Sequence, residues 1–165
     1  MTFQKGTRLH IYEWEKRFLL DEMDLVEQMA GLKLTYPTSN SRWTDKYKPG
    51  LSAFVEFEDQ PEHLEEELGK YLASLLDFAK MVLADKKEEW HLYPIYLKAT
   101  GGMRELPKEQ RINLIGTVRK LFHDKSFNPF VFQDRRARVI SGEEEAIYGW
   151  MGVNFGMYNH LIQSC

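Results

Sequence analysis

A chain of 165 residues, 43% hydrophobic and 28% charged, has the size and make-up of one globular domain able to bury a core. Its net charge of −3 gives no general attraction to nucleic acid or to an anionic membrane surface. The single cysteine, Cys165, excludes an internal disulfide, and no run reaches the roughly 18 apolar residues that a membrane helix needs.

From Met1 to Gly6 there is no apolar segment of the signal-peptide kind, and no Asn-x-Ser/Thr acceptor follows anywhere. The sequence is expected to be soluble and carries no address of its own. Residues 7–14 alternate with period two through Leu9 and Ile11, which predicts a strand. Residues 15–34 fit neither period, because Gly31 interrupts a helical spacing of Leu25, Met29 and Leu32. Residues 35–50 are rich in Pro, Ser, Thr, Asn, Lys and Gly and are expected to be loop. Leu51 to Phe57 fits a short extended piece or a helical turn.

A long helix is predicted over 61–86. Asp59-Gln60-Pro61 offers a cap and an early proline. Leu64, Leu68, Leu72, Leu75, Ala79 and Leu83 form one apolar stripe. Glu62 and Glu65–Glu67 open the segment and Lys80, Lys86 and Lys87 close it, which complements the helix dipole. Residues 92–99 are nearly all apolar and predict a strand buried on both faces, as in parallel sheets. Thr100-Gly101-Gly102 ends it. Pro107 opens a second helix carrying Ile112, Ile115, Val118 and Phe122. Phe130–Phe132 and Ala137–Ile140 predict two more short strands, and 143–155 a final helix. Strands alternating with helices indicate an α/β sheet layer.

Two strand ends could carry chemistry. After residue 99, a Thr hydroxyl beside two glycines could meet a phosphate or a metal-bound water, though such turns are also routine connections. After Ile140, Ser141-Gly142 leads into Glu143, Glu144 and Glu145. Ser141 and Glu144 have the spacing of a capping box. Successive helical residues point about 100° apart, so one or two of the three acids at most can face a cleft. The alternative is a solvated acidic helix start. The five histidines lack a second ligand at metal spacing. Arg135, Arg136 and Arg138 form a small basic cluster that could meet an anion or simply face solvent.

At these strand ends the chain resembles the nucleoside triphosphate diphosphohydrolases, or apyrases. Ala99-Thr100-Gly101-Gly102-Met103-Arg104 is similar to that family's second signature, A-T-A-G-M-R. Ile140 to Trp150, continued by Val153-Asn154-Phe155, resembles the third. Lys48-Pro49-Gly50-Leu51-Ser52 resembles the family's K-P-G-L-S segment. An exopolyphosphatase-like relative shares part of the third pattern. Tyr148-Gly149-Trp150 and the Thr-Gly-Gly-Met-Arg turn favour the apyrases.

The resemblance implies an actin-like, ribonuclease H-like ATPase lobe, a mixed sheet with flanking helices. It implies removal of terminal phosphates from nucleoside di- and triphosphates with Ca²⁺ or Mg²⁺. Glu145 then corresponds to the base that activates water, and Thr100 to the threonine beside the phosphate and metal. Gly101 would assist, and Trp150 would be structural. Gly6-Thr7-Arg8 is what remains of the first, phosphate-binding signature, D-A-G-S-S/T-G-T/S-R. Its Asp and serines have no counterpart ahead of Gly6. No direct metal ligand is therefore expected, and contact through water would run by way of Thr100 and Glu145. Residues 1–155 are expected to be the N-terminal lobe and 156–165 a divergent tail. A lobe without its counterpart is expected to be weakly active or inactive and could self-associate through its exposed face. A non-catalytic domain that binds nucleotide or a partner is the alternative. The family's location is the cell surface, the secreted space or the lumen of the endoplasmic reticulum and Golgi.

Overall fold

The structure, a computed structural model, describes residues 6–14 and 37–163, with side chains through Asn154. The ambiguous stretch 15–34 lies outside the described residues. Strand β1 (Thr7–His10) pairs antiparallel with β2 (Thr44–Tyr47), with Thr7 opposite Tyr47 and His10 opposite Thr44. β2 falls in the stretch expected to be loop. Its sequence, Thr-Asp-Lys-Tyr, has no apolar alternation. The pairing is instead supplied by the β1 ladder and by Thr44 Oγ1, which donates to the Leu9 carbonyl at 2.9 Å.

Leu51–Phe57 resolves as a 3-10 helix that buries Leu51 and Phe54. Phe54 lies against the Tyr71 ring at 5.0 Å between centroids, and the Tyr71 hydroxyl donates to the Pro49 carbonyl at 2.6 Å. Helix α1 (Pro61–Val82) follows, with Pro61 in its first turn and no side-chain bond from its cap residue Gln60. Leu64, Leu68, Leu72, Leu75, Leu76 and Ala79 are buried along it. The helix stops four residues short of the predicted 86. The Leu83 carbonyl is taken by the Lys86 N–H at 3.1 Å and by the Trp90 indole N–H at 2.9 Å, so the chain tightens into a 3-10 segment, Ala84–Leu92.

The strand predicted over 92–99 is shorter and less buried. Only β3 (Leu97–Ala99) is a strand, while Leu92 and Tyr96 are 61% and 55% exposed. β3 pairs in parallel with β4 (Ala137–Val139), Leu97 opposite Ala137 and Ala99 opposite Val139. Val131 contributes only a bridge to Pro94, so Phe130–Phe132 is not a strand. The Phe130 carbonyl is already occupied by Lys125 and by the fully buried Asn128.

Between these strands run a single turn, α2 (Gly101–Arg104), and helix α3 (Lys108–His123). α3 buries Leu114, Val118 and Phe122, an i, i+4, i+8 ridge, together with Ile115. Ile112, expected on that stripe, is 61% exposed, because Leu114 occupies the ridge position four residues before Val118. Arg119 fastens α3 to the sheet through two bonds to the Ala137 carbonyl, at 3.1 and 2.9 Å. Helix α4 (Gly142–Gln163) then runs eight residues past the predicted end at 155.

The described residues form small sheets and helices around one core that joins α1, α3 and the strands. The expected mixed sheet is divided: β1–β2 is one antiparallel pair and β3–β4 a separate parallel pair. Residues of β1 and β3 face each other across a cavity rather than a ladder. Among the described residues, no helix is long and apolar enough to cross a membrane.

Candidate functional site

The cavity has a volume of about 670 Å³ and opens between β1 and the carboxyl end of β3. Carboxyl ends of strands are where ligands collect in open α/β sheets. Gly6, Thr7, Arg8, Thr100, Gly101 and Glu145 all line it. Three segments far apart in sequence therefore share one wall.

The first segment enters with β1, whose pairing to β2 aligns Thr7 and Arg8 along the rim. The second is the turn after β3. Thr100 caps α2, and its carbonyl accepts from the N–H groups of Met103 and Arg104 at 3.0 and 3.2 Å. The Thr100 hydroxyl makes no cap bond to the helix. It can therefore serve a ligand in the cavity.

The third is the turn after β4. The Ile140 N–H donates to the Ala99 carbonyl at 2.9 Å, so the pairing runs one residue past β4 before the chain turns. Ser141 and Glu144 then make the reciprocal pair of a capping box: the Glu144 N–H donates to Ser141 Oγ at 3.0 Å, and the Ser141 N–H to Glu144 Oε2 at 3.2 Å. Glu144 is also gripped by both terminal nitrogens of Arg138. The Arg138 guanidinium, followed by the Ser141 backbone N–H, pushes the Glu144 carboxyl down to about 2. Glu143 is exposed. Of the three acids, Glu145 alone is on the cavity wall.

Glu145 does not stand unaccompanied. Arg104 Nη2 donates to its Oε2 at 2.8 Å, while Arg104 Nη1 donates to the Ile140 carbonyl at 3.1 Å. Lys98 also lines the cavity, and burial, then the charge of Arg138, pushes its ammonium below the ordinary lysine value. The wall thus carries three cations, Arg8, Lys98 and Arg104, and the carboxylates of Glu105 and Glu145. A partly enclosed site of this make-up can hold an anion and place a carboxylate beside it.

Sequence reasoning passed over Lys98 and assigned no role to Arg104. Lys98 had a signal, as the one charged residue in the apolar run 92–99. Arg104 stood in the segment similar to the second signature, but its partner, 41 positions away, had no local signal. The other candidates stand apart. Arg136 donates to the Val131 carbonyl at 2.8 Å and covers the Tyr96 ring at 5.3 Å. Trp150, expected to be structural, is 67% exposed and belongs to no core cluster among the described residues.

The model of the GDA1/CD39 (nucleoside phosphatase) family matches residues 4–163. The chain is 31% identical over 160 residues to the Golgi apyrase of Saccharomyces cerevisiae, which covers 94% of the chain and 24% of that protein. It is 33% identical over 161 residues to ectonucleoside triphosphate diphosphohydrolase 7 of Mus musculus (96% and 24%). With the nucleoside diphosphate phosphatase ENTPD5 of Homo sapiens it shares 32% over 150 residues (91% and 29%). The chain thus spans about a quarter of the length of the relatives it matches.

Proposed function

The chain belongs to the GDA1/CD39 family of nucleoside phosphatases, and we propose that it forms the part of a nucleoside di- and triphosphate hydrolase that carries the water-activating carboxylate. In this reading residues 1–155 are an actin-like N-terminal lobe and 156–165 a tail. Its location in this reading is that of the family, secreted, at the cell surface or in the lumen of the endoplasmic reticulum and Golgi, and one relative is named a Golgi apyrase.

The terminal phosphate lies in the cavity against Gly6, Thr7, Arg8 and Gly101. Its charge is met by Arg8 and Lys98. A water beside Thr100 loses its proton to the Glu145 carboxylate while its oxygen bonds to phosphorus. The bond to the bridging oxygen breaks, and the shortened nucleotide leaves with that oxygen. Such a base contributes about 10²–10⁴-fold to rate. The observation that carries the reading is the convergence of Glu145, Thr100 and Arg8, from three separate segments, on one cavity.

A divalent cation, Ca²⁺ or Mg²⁺, would be held through water by way of Thr100 and Glu145 and would offset the charge of the phosphate. Among the described residues no three His, Cys, Asp or Glu side chains gather to hold a metal. The wall acids, Glu105 and Glu145, are offset by three cations. A hard divalent ion takes about six oxygen ligands, most of which would here be water.

Phosphate release from GDP, UDP and ATP, measured with and without Ca²⁺ or Mg²⁺, tests the reading. Weak release is expected, since positioning and electrostatics supply most of phosphoryl transfer and the matched relatives are about four times longer. Glu145→Gln should lower that release about a hundredfold or more. Equal release by Glu145→Gln and the unmodified chain would overturn the role of Glu145.

A second reading, a module that binds a partner or a second copy, is favoured by α4. Ile147, Tyr148, Trp150 and Val153 are all exposed along it. Concentration-dependent sedimentation would support this reading, and a monomer at every concentration would remove self-association.

A further inference from the structure

We propose that Arg104 is a positioning residue for Glu145: one guanidinium ties the turn after β3 to the turn after β4 and holds the carboxylate at the cavity wall. The inference rests on the reading of Glu145 as the base.

Two bonds from one side chain make the case. Arg104 Nη1 reaches the Ile140 carbonyl at 3.1 Å and Nη2 reaches Glu145 Oε2 at 2.8 Å, across separations of 36 and 41 residues. Ile140 directly follows β4, and Glu145 lies in the first turn of α4. Arg104 therefore brackets the turn that presents the carboxylate. A planar guanidinium fixes the angle between its two bonds, which an ammonium on a flexible stem does not. The neighbouring acid, Glu144, is held by a different arginine, Arg138. Each acid thus has its own guanidinium, and the two are kept to different sides of the helix start. Arg104 is half-sheltered, with 32% of its side chain exposed against 46% for Glu145. Its Nη2 lies 3.8 Å from where a Cβ on Gly101 would stand, so an alanine at 101 would leave room for it.

A structural strut and a positioning residue differ in what they move. The ¹³C carboxyl resonance of Glu145, assigned by its loss in Glu145→Gln, is compared in the unmodified chain, Arg104→Lys and Arg104→Gln. Arg104→Gln should displace it, and Arg104→Lys should bring it part of the way back. Coincidence of the Arg104→Gln and unmodified resonances overturns the proposal. Where phosphate release is measurable, Arg104→Gln should lower kcat by about tenfold and change KM by less than about twofold. A raised KM with unchanged kcat would also overturn it, since Arg104 would then serve the phosphate and not Glu145. If Glu145→Gln and the unmodified chain release phosphate equally, the reading of Glu145 as the base falls while the resonance still decides its position. Should Arg104→Gln fail to fold, Arg104→Lys alone decides, by displacement of the resonance or its absence.

Discussion

Helices α1 and α4 each span 22 residues, yet they are held in opposite ways. α1 buries a leucine ridge and turns its charges outward, with Lys70 bridging Glu66 and Glu67 and Lys120 of α3 reaching Glu65. α4 has no Asp, Glu, Lys or Arg from Ala146 to Gln163, but its described apolar side chains are exposed. What fixes α4 is its root, where Ser141, Glu144 and Glu145 meet each other and two arginines. Packing places one helix and a polar turn aims the other. A helix placed by packing tolerates changes at its ends, whereas one aimed from its root depends on them.

That contrast can be broken or sharpened by mutation. Leu68 is fully buried on α1, so Leu68→Ala should cost about 3 kcal/mol in denaturant unfolding, as a deletion in a packed core does. Ser141→Ala removes the capping oxygen at the root of α4 and should cost about 1 kcal/mol in the same measurement. The grip on Glu144 should be smaller again, because the pair is only partly sheltered from solvent, and it should show through pH. Its carboxyl lies at about 2 in the folded chain against an ordinary 4.5, chiefly through Arg138. The pair's stabilisation is complete above about 4.5 and is lost as pH falls toward 2. Glu144→Gln should therefore flatten the acid limb of thermal stability over that window. At the far end, Val153→Ser on exposed α4 should change stability by less than about 0.5 kcal/mol. A cost matching that of Leu68→Ala would show that α4 is packed after all and would erase the contrast.

The same contrast explains what could be read in advance. The α1 stripe was legible because burial repeats with the helical period, and hydrophobic spacing reports burial directly. Its end at Val82 was not, since the Trp90 indole that competes for the Leu83 carbonyl is seven residues on. β2 was hidden because its polar residues are recruited by β1, 35 positions away in the case of Thr44 and Leu9. At the site, Ser141 and Glu144 were readable as a cap because their bonds are local. The choice of Glu145 over its neighbours came from resemblance to the apyrase motif. The partner of Glu145 was out of reach of either method, because an ion pair across 41 residues leaves no local trace.

The parallel pairing of β3 with β4 has a further consequence in time. Ala99 and Val139 must meet across a connection that includes all of α3. Contacts of such separation form slowly, after local ones have paid down the cost of closing the loop. As the chain is synthesised, the Thr100 turn emerges long before Glu145 exists. α1 and α3 can gather their ridges early, but the cavity wall has to wait for β4 to find its register. The cavity wall is thus complete only once β4 has paired with β3.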